Sequence, residues 1–418
     1  MNKKLSTESY KGVRDFYPED MAVQNQIFDI WKNISRKYGY QEYNASVLEP
    51  SELYKAKSGE EIVERQTYTF IDRGDREVTL RPEMTPTVAR MVAARKRELA
   101  YPLRWFSIPN FFRYEQPQRG RLREFWQLNV DIFGVEGLEA EIECIQMAYD
   151  TTKAYGLADK DFEIRINSRK ILNYITKNIF GLDFEASQKL LKLIDKKNKI
   201  PADVFTATAE TILGDVPDGD KISKFSAIFS STEIDEKYEG VAEVKEVMEA
   251  LAKLGIKNVR FDQTLTRGSD YYTGVVFEIF DLNPLNRRSV FGGGRYDDLL
   301  ELFGGEKVPA VGFGAGDVVA RDLLETYGKI THENAPADIS ICVMNKESMI
   351  YAQELAQKLR QKNMRISVNY SGKKIGDQIK SADKIHIPNI ICVGEEEVKT
   401  GNIKIKNLAT GEEKPYIV

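Results

Sequence analysis

Residues 111–134 read FFRYEQPQRGRLREFWQLNVDIFG, and the pattern of this stretch decides the architecture. From Glu124 to Phe133 apolar and polar side chains alternate. Gln127, Asn129 and Asp131 therefore share one face of a strand, and Trp126, Leu128, Val130 and Ile132 share the other. Two readings of the polar row are open: one side of a half-exposed sheet, or a row facing a ligand. Leu103 to Tyr114 reads as a second strand, and the arginine-rich turn Gln116 to Arg123 joins the two as a hairpin with a long basic loop. Counting Arg113, Arg119, Arg121 and Arg123, the charge here is almost all guanidinium. Planar multidentate donors suit phosphate better than ammonium does, although a solvated basic turn has the same composition.

Upstream, Ile27, Ile30, Trp31, Ile34 and Tyr38 recur at helical spacing behind Pro18, Glu19 and Asp20, which predicts an amphipathic helix that Gly39 ends. Tyr40 to Pro50 reads as extended and Val78 to Leu80 as a short strand. Thr85 is the expected N-cap of a helix beginning at Pro86 and running to about Lys96. Downstream, residues 139–156 return to helical spacing, and about 167–257 is charged and helix-rich, which predicts an inserted helical domain. Strands are expected at Val275 to Phe280 and around Val290, then a glycine-rich stretch and a last helix ending near Tyr327. Beyond a linker, Gly328 to Pro336, the order βαβαβ predicts a small, mostly parallel sheet, with strands at Ile339 to Met344, Ile366 to Tyr370 and Ile390 to Val393. The expected domains are thus 1–327, including the insertion, and 336–418.

The 418 residues, 42% hydrophobic and 30% charged, can bury a core, and a net charge of −4 argues against coating nucleic acid through overall charge. Any RNA contact must be local. Three cysteines, Cys144, Cys342 and Cys392, are too few and too scattered for a disulfide framework or a paired-cysteine zinc site, so a reducing, cytoplasmic compartment is expected. No apolar run of about 20 residues exists, which argues against membrane insertion. The only histidines are His332 and His386, and neither has a neighbour suited to acid-base or metal chemistry. Catalysis must rest on Arg, Glu, Asp, Gln and Tyr.

Two further stretches combine glycine with polar tips: LTRGSDYYTG at 265–274 and FGGGRYD at 291–297. Each reads as a loop that approaches a ligand through backbone, or as a tight structural turn with core tyrosines. The second does not fit the G-x-x-x-x-G-K-[ST] phosphate loop.

Taken together and in this order, the segments resemble the histidyl-tRNA synthetases over nearly the whole chain. GVRDFYPED at 12–20 is similar to the family's N-terminal segment, Pro50 falls where motif 1 of class II synthetases ends, and RPEMT at 81–85 resembles the amino-acid-binding strand. The 111–134 hairpin resembles motif 2, while LTRGSDYYTGVVFE at 265–278 and GGGRYDDL at 292–299 resemble the two histidine-specific motifs. The resemblance implies an α+β fold: a class II antiparallel-sheet catalytic domain with a helical insertion, and a C-terminal α/β anticodon-binding domain that includes SGKKIGDQIKSADK at 371–384. It implies that Glu83 and Gln127 hold the amino and carboxyl ends of histidine, that Asp131 and Tyr272 lie toward the imidazole, and that Thr85 and Tyr271 line the same pocket. It further implies Arg113 and Arg121 on the phosphates of ATP, Arg267 at the α-phosphate, and Gln118 near the acceptor end of tRNA. Arg113 and Arg267 are the implied catalytic pair. ATP with Mg2+ is the implied substrate complex, with no tightly bound protein-ligated metal, and a homodimer is expected from the habit of the fold.

Two departures stand out. Some bacterial members carry Glu where this chain has Asp131, so the shorter acid reaches the ring at a different angle or through water. In motif 3, Gly-Phe-x-x-Gly-x-x-Arg, the arginine position is Val319, and Arg321 lies about 200° further round a helix. Arg295, or Arg321 with an altered turn, is left to compensate. The competing reading is a non-catalytic histidine-sensing subunit, like the synthetase-like regulatory partner of an ATP phosphoribosyltransferase. Such a subunit needs the histidine pocket but neither ATP nor tRNA.

Overall fold

Pro18 in the first turn, with Glu19 and Asp20 beside it, starts the first helix, and Gly39 with φ +77° follows its end. The computed structural model describes residues 5–55, 66–197, 200–214, 221–231, 235–267, 271–286, 289–331 and 335–417. They divide into two units after Ile330.

In the first unit the chain runs α1 (Pro18–Lys37), β1 (Gln41–Glu42), β2 (Leu48–Pro50), α2 (Ser51–Lys55), β3 (Tyr68–Ile71), β4 (Glu77–Leu80), α3 (Thr85–Arg95), β5 (Leu103–Ser107), β6 (Asn110–Phe112), β7 (Glu124–Phe133) and α4 (Glu139–Ala154). It continues through β8 (Phe162–Ser168), the helices α5 (Arg169–Tyr174), α6 (Phe184–Asp195), α7 (Ala202–Leu213), α8 (Lys221–Ser230) and α9 (Val241–Lys253), then β9 (Val259–Phe261), β10 (Val275–Asp281), β11 (Ser289–Arg295), β12 (Ala310–Gly316) and α10 (Asp317–Thr326). The main sheet has the order β1-β5-β7-β12-β11-β10-β8-β9, antiparallel except at its two ends, where β1 and β9 pair in parallel. The predicted strand 103–114 is split, because Ile108 and Pro109 interrupt it and Pro109 has no N–H for the ladder. Both halves still pair with β7. Strands β2, β4 and β3 form a separate small sheet.

One face of the main sheet is apolar. Leu128, Val130, Ile132, Val311, Phe313 and Phe277 point into a core that α1, α4 and α10 cover. Helix α9 packs on β8, β9 and α4, so the helices after β8 share this core. On the other face, the first of the two readings of the polar row, a side open to water, is overturned. Asn129 and Asp131 are buried there, because Leu265, Tyr271 and Tyr272, the loop 296–310 and helix α3 roof that side.

The second unit contains β13 (Ile339–Val343), α11 (Met349–Gln361), β14 (Ile366–Asn369), α12 (Ile375–Lys384), β15 (Asn389–Val393), α13 (Glu395–Thr400), β16 (Ile403–Asn407) and β17 (Glu413–Tyr416). The βαβαβ core is parallel, in the order β14-β13-β15, and β16 and β17 extend it as an antiparallel edge that the alternation did not predict. β16 alternates Ile403-Lys404-Ile405-Lys406 over too short a run to stand out, and β17 is four residues long with two charges and Pro415. No helix among the described residues is long and apolar enough to cross a membrane.

Arg295, at the end of β11, ties the sheet to α4. Its Nε and Nη2 each donate to Glu141 at 2.6 Å, and Nη2 and Nη1 reach the carbonyls of Gly137 at 2.6 Å and Val135 at 3.1 Å. Glu141 is fully buried, and burial raises its pKa against the pull of Arg295. Arg295→Met strips that carboxylate of its cation and is expected to cost about 3–5 kcal/mol in denaturant unfolding at neutral pH, less in acid where Glu141 is protonated.

Candidate active site

The polar row of β7 lies beside a strand of glycines. Register places Asp131 opposite Gly312, Asn129 opposite Gly314 and Gln127 opposite Gly316, and on the next strand Gly294 and Gly292 continue the first two rows. A Cβ on Gly312 would stand 2.4 Å from Asp131 Oδ1, and one on Gly314 would stand 2.0 Å from Gln127 Nε2. The two side chains lean across the floor that the absent Cβ atoms leave open. Gln127 Nε2 also donates to Asn129 Oδ1 at 2.8 Å, which orients both amides.

At the Asp131 end the walls are aromatic. Tyr271, Tyr272, Tyr296 and Phe133 pack together, with Tyr271 4.9 Å from Tyr272 and 5.7 Å from Tyr296 between ring centres. The hydroxyl of Tyr296 donates to Asp131 Oδ1. Burial pushes the Asp131 carboxyl up to about 7, and the Tyr296 hydrogen bond opposes this only in part. A shift of that size corresponds to roughly 4 kcal/mol between its two protonation states. Glu83, buried, lies beside this cluster: Tyr271 OH is 3.4 Å from Glu83 Oε2 and from Thr85 Oγ1. Thr85 is the first residue of α3 and not its cap, because Met84 already accepts from Val88 N at 2.9 Å; its hydroxyl is left to face Tyr271.

The arginines divide by partner. Arg113 donates Nε to Pro82 O at 2.9 Å and lies over the Phe125 ring at 5.3 Å, which leaves its terminal nitrogens without a partner among the described residues. Arg121 is half-exposed, with Nε 3.6 Å from Glu115. With Glu115, Phe125, Val318 and Val319 these two line a hollow of about 180 Å³. Arg267 approaches from the other side of the glycine strands, donating to Glu278 at 2.6 Å and Gly292 O at 3.0 Å, from a left-handed backbone with φ +54°. Such a conformation is costly for a non-glycine residue and marks a guanidinium held in place by its surroundings. Gly292 lies two strands from β7, about 10 Å away. Gly268, Ser269 and Asp270 of the same motif lie outside the described residues, as does His332. Arg123 is structural: buried, it donates to Glu115 O and Tyr10 OH and stacks on Tyr114 at 4.0 Å. Gln118 is exposed at the tip of the turn and pairs through its backbone with Arg121.

Neither expected substitute for a motif 3 arginine serves. Arg295 is consumed by Glu141, and Arg321 binds Asp20 and Glu325 at 2.9 Å each. Asp317, which opens α10, is buried and accepts from Arg14, Gln24 and the backbone of Trp126 at 2.6, 3.0 and 2.9 Å. The arginine of GVRDF thus anchors the start of this helix. Sequence reasoning passed over Tyr296 and Asp317; the signal for the first was a tyrosine directly after the strand that runs beside the glycines. Among the described residues no cluster of three or more His, Cys, Asp or Glu side chains could hold a metal ion.

Residues 12–316 match the family model described as histidyl-tRNA synthetase, and residues 338–416 match that of an anticodon binding domain. The histidine-tRNA ligase of Leptospira biflexa is 42% identical across 98% of this chain and 94% of that protein. The crystal structure of apo histidyl-tRNA synthetase from S. aureus superposes with a TM-score of 0.75 at 27% identity, covering 98% of this chain and 97% of that one. A Bacillus halodurans structure described as an ATP phosphoribosyltransferase regulatory subunit/histidyl-tRNA synthetase also reaches 0.75, at 26% identity over 91% and 98% of the two chains. With a tyrosine-lined acidic pocket and an arginine-lined hollow on one strand, and with the family's likeness running nearly end to end, the chain belongs to the histidyl-tRNA synthetases.

Proposed function

We propose that this chain activates histidine with ATP and transfers the histidyl group to tRNA. The observation that carries the proposal is that β7 places an aromatic-walled carboxylate, Asp131, and the arginine-lined hollow beside Phe125 on one strand. The six residue steps from Phe125 to Asp131 span about 20 Å, enough to seat an amino acid joined to a nucleotide. Histidine lies over the glycine floor with its ammonium toward Glu83 and its carboxylate toward the Gln127 amide. Thr85 and Tyr271 close that end, and the imidazole points to Asp131, Tyr272 and Tyr296. A carboxylate and phenols can pair both ring nitrogens, so analogues lacking either are rejected.

Arg113 and Arg121 bind the ATP phosphates, and Arg267 faces the α-phosphate. A carboxylate oxygen of histidine attacks the α-phosphorus, pyrophosphate leaves, and a ribose hydroxyl of tRNA then takes the histidyl carbonyl with release of AMP. The enzyme's share of the first step is electrostatic: fixed guanidinium groups face charge that builds as the new P–O bond forms. Mg2+ would neutralise part of the triphosphate's charge, and Glu115 is the carboxylate lining the hollow that would help to hold it. Gln118 lies where the acceptor end approaches. Residues 1–327 are the catalytic domain, with 167–257 as its insertion, and 336–418 are the anticodon-binding domain, where exposed lysines such as Lys373, Lys374 and Lys380 offer contacts to RNA phosphates. A homodimer completes the proposal.

The rival sensor reading draws on Val319. Histidine-dependent exchange of labelled pyrophosphate into ATP decides between them: exchange is expected, and histidine binding without exchange would favour the sensor. Arg267→Ala is expected to lower kcat for exchange by about 10²–10³ with little change in the KM for histidine.

The Asp131 carboxyl accepts most strongly from an imidazole N–H when it is ionised. With that group titrating near 7, the KM for histidine should rise as pH falls from 8 to 6. In Asp131→Asn it should be high and keep only the slope that the imidazole of free histidine itself contributes. Stability moves the opposite way. The folded value lies above the unfolded one, so the contribution of the protonated acid is complete below about pH 4 and is lost as pH rises through 7, a slope that urea titrations of Asp131→Asn should lack.

A further inference from the structure

A triphosphate is a polyanion, yet the hollow beside Phe125 is cationic on one wall only. Arg113 and Arg121 stand there, with Glu115 among them; the α10 wall offers Val318 and Val319, and Asp317 already occupies the N-terminal charge of that helix. Another cation lies close by. Gln118 and Arg121 exchange backbone hydrogen bonds at 3.0 and 2.9 Å, closing a tight turn with Arg119 and Gly120 at its corner. Gly120 has φ +74°, and a side chain on it would stand 3.8 Å from both Val319 Cγ2 and Asp322 Oδ2. The turn therefore rests on the α10 face that carries Val319 and, one helical turn on, Asp322.

Arg119 is loosely held on that face. Its Nε is 3.7 Å from Asp322 Oδ2, and Nη2 donates to Asn286 Oδ1 at 3.2 Å and Thr326 Oγ1 at 3.4 Å. The side chain is 55% exposed, and a long, exposed ion pair of this kind is weak and easily exchanged. A phosphate in a half-enclosed hollow is the stronger partner, because its oxygens accept in-plane from a guanidinium and water is partly excluded. Arg295 and Arg321 lack this freedom, each being committed to carboxylates at closer range.

We propose that Arg119 is a phosphate-binding residue held in reserve on Asp322, which crosses to the nucleotide and supplies the guanidinium that α10 lacks at Val319. The proposal rests on ATP being the ligand of this hollow. It adds a second guanidinium from the tip of the turn to the pair already there, and it accounts for a valine on the opposite wall, since an arginine at 319 would compete with Arg119 for the same anion.

The test uses the full chain, with equilibrium titration by Mg-ATP alongside pyrophosphate exchange. Arg119→Ala should weaken ATP binding about tenfold and leave the KM for histidine within twofold. Adding Val319→Arg to that variant should recover most of the loss, which a merely structural role for Arg119 would not allow. Asp322→Asn, which releases Arg119 without removing it, should bind ATP at least as tightly as the unaltered chain. Affinity within twofold of the unaltered chain in Arg119→Ala, failure of Val319→Arg to rescue it, or weaker binding in Asp322→Asn would each overturn the assignment. Should the unaltered chain itself bind no ATP, the function proposed above fails; ATP binding by the unaltered chain that Arg119→Ala leaves within twofold overturns only the Arg119 assignment and leaves that function standing.

Discussion

The absence of side chains at Gly312 and Gly314 is the constraint on which the rest depends. In an antiparallel sheet a neighbour's Cβ normally fills the space beside each side chain, so a polar row would stand upright and seek water or a roof. Here two missing Cβ atoms let Gln127 and Asp131 lie down over the next strand. The floor becomes polar, while the reverse face of the same strands remains the apolar core under α1, α4 and α10. One strand thus serves packing and recognition at once, and a single methyl group on the glycine strand would set the two against each other.

Charge is distributed with a comparable economy. Arg14, Arg81, Arg123 and Arg295 are committed to carboxylates, carbonyls or rings and act as struts. Arg113 and Arg121 face the hollow, and Arg267 is clamped by Glu278 with its backbone in a costly conformation. Desolvation by burial opposes the charge of Arg267, but Tyr272 and Glu278 outweigh it and raise its pKa further above the ordinary arginine value. A fixed guanidinium of this kind needs no reorganisation as charge develops in a transition state, which is the source of electrostatic catalysis. Asp131 is the complement: a carboxyl kept near the pH where it can still lose its proton, in a pocket whose ligand titrates in the same range.

Much of this was legible in the residues. Alternation from Glu124 to Phe133 placed Gln127, Asn129 and Asp131 on one face, and helical spacing found α1 and α4. What periodicity could not reveal was that the polar face would be buried, since burial there comes from loops and a helix distant in sequence. Strand β12 escaped notice because Val311-Gly312-Phe313-Gly314 has weak strand propensity; its place is fixed by what its glycines admit. The loop arginines looked equivalent in sequence, yet Arg123 is buried under Tyr114 and Arg121 is not, a distinction made by the N-terminal segment folding over one of them. Strand β16 was missed because its alternation, Ile403-Lys404-Ile405-Lys406, is short, and β17 because it is a four-residue edge strand that carries charge and a proline.

The most direct measurement is calorimetric titration of Gly314→Ala with L-histidine, with the unfolding midpoint followed in parallel. The added methyl displaces the Gln127 amide from the floor, so histidine affinity is predicted to fall at least tenfold while the chain stays folded, with an overpacking cost of about 1–3 kcal/mol. Unaltered histidine affinity in a folded Gly314→Ala protein would contradict the claim that the glycine strand is the floor of the site.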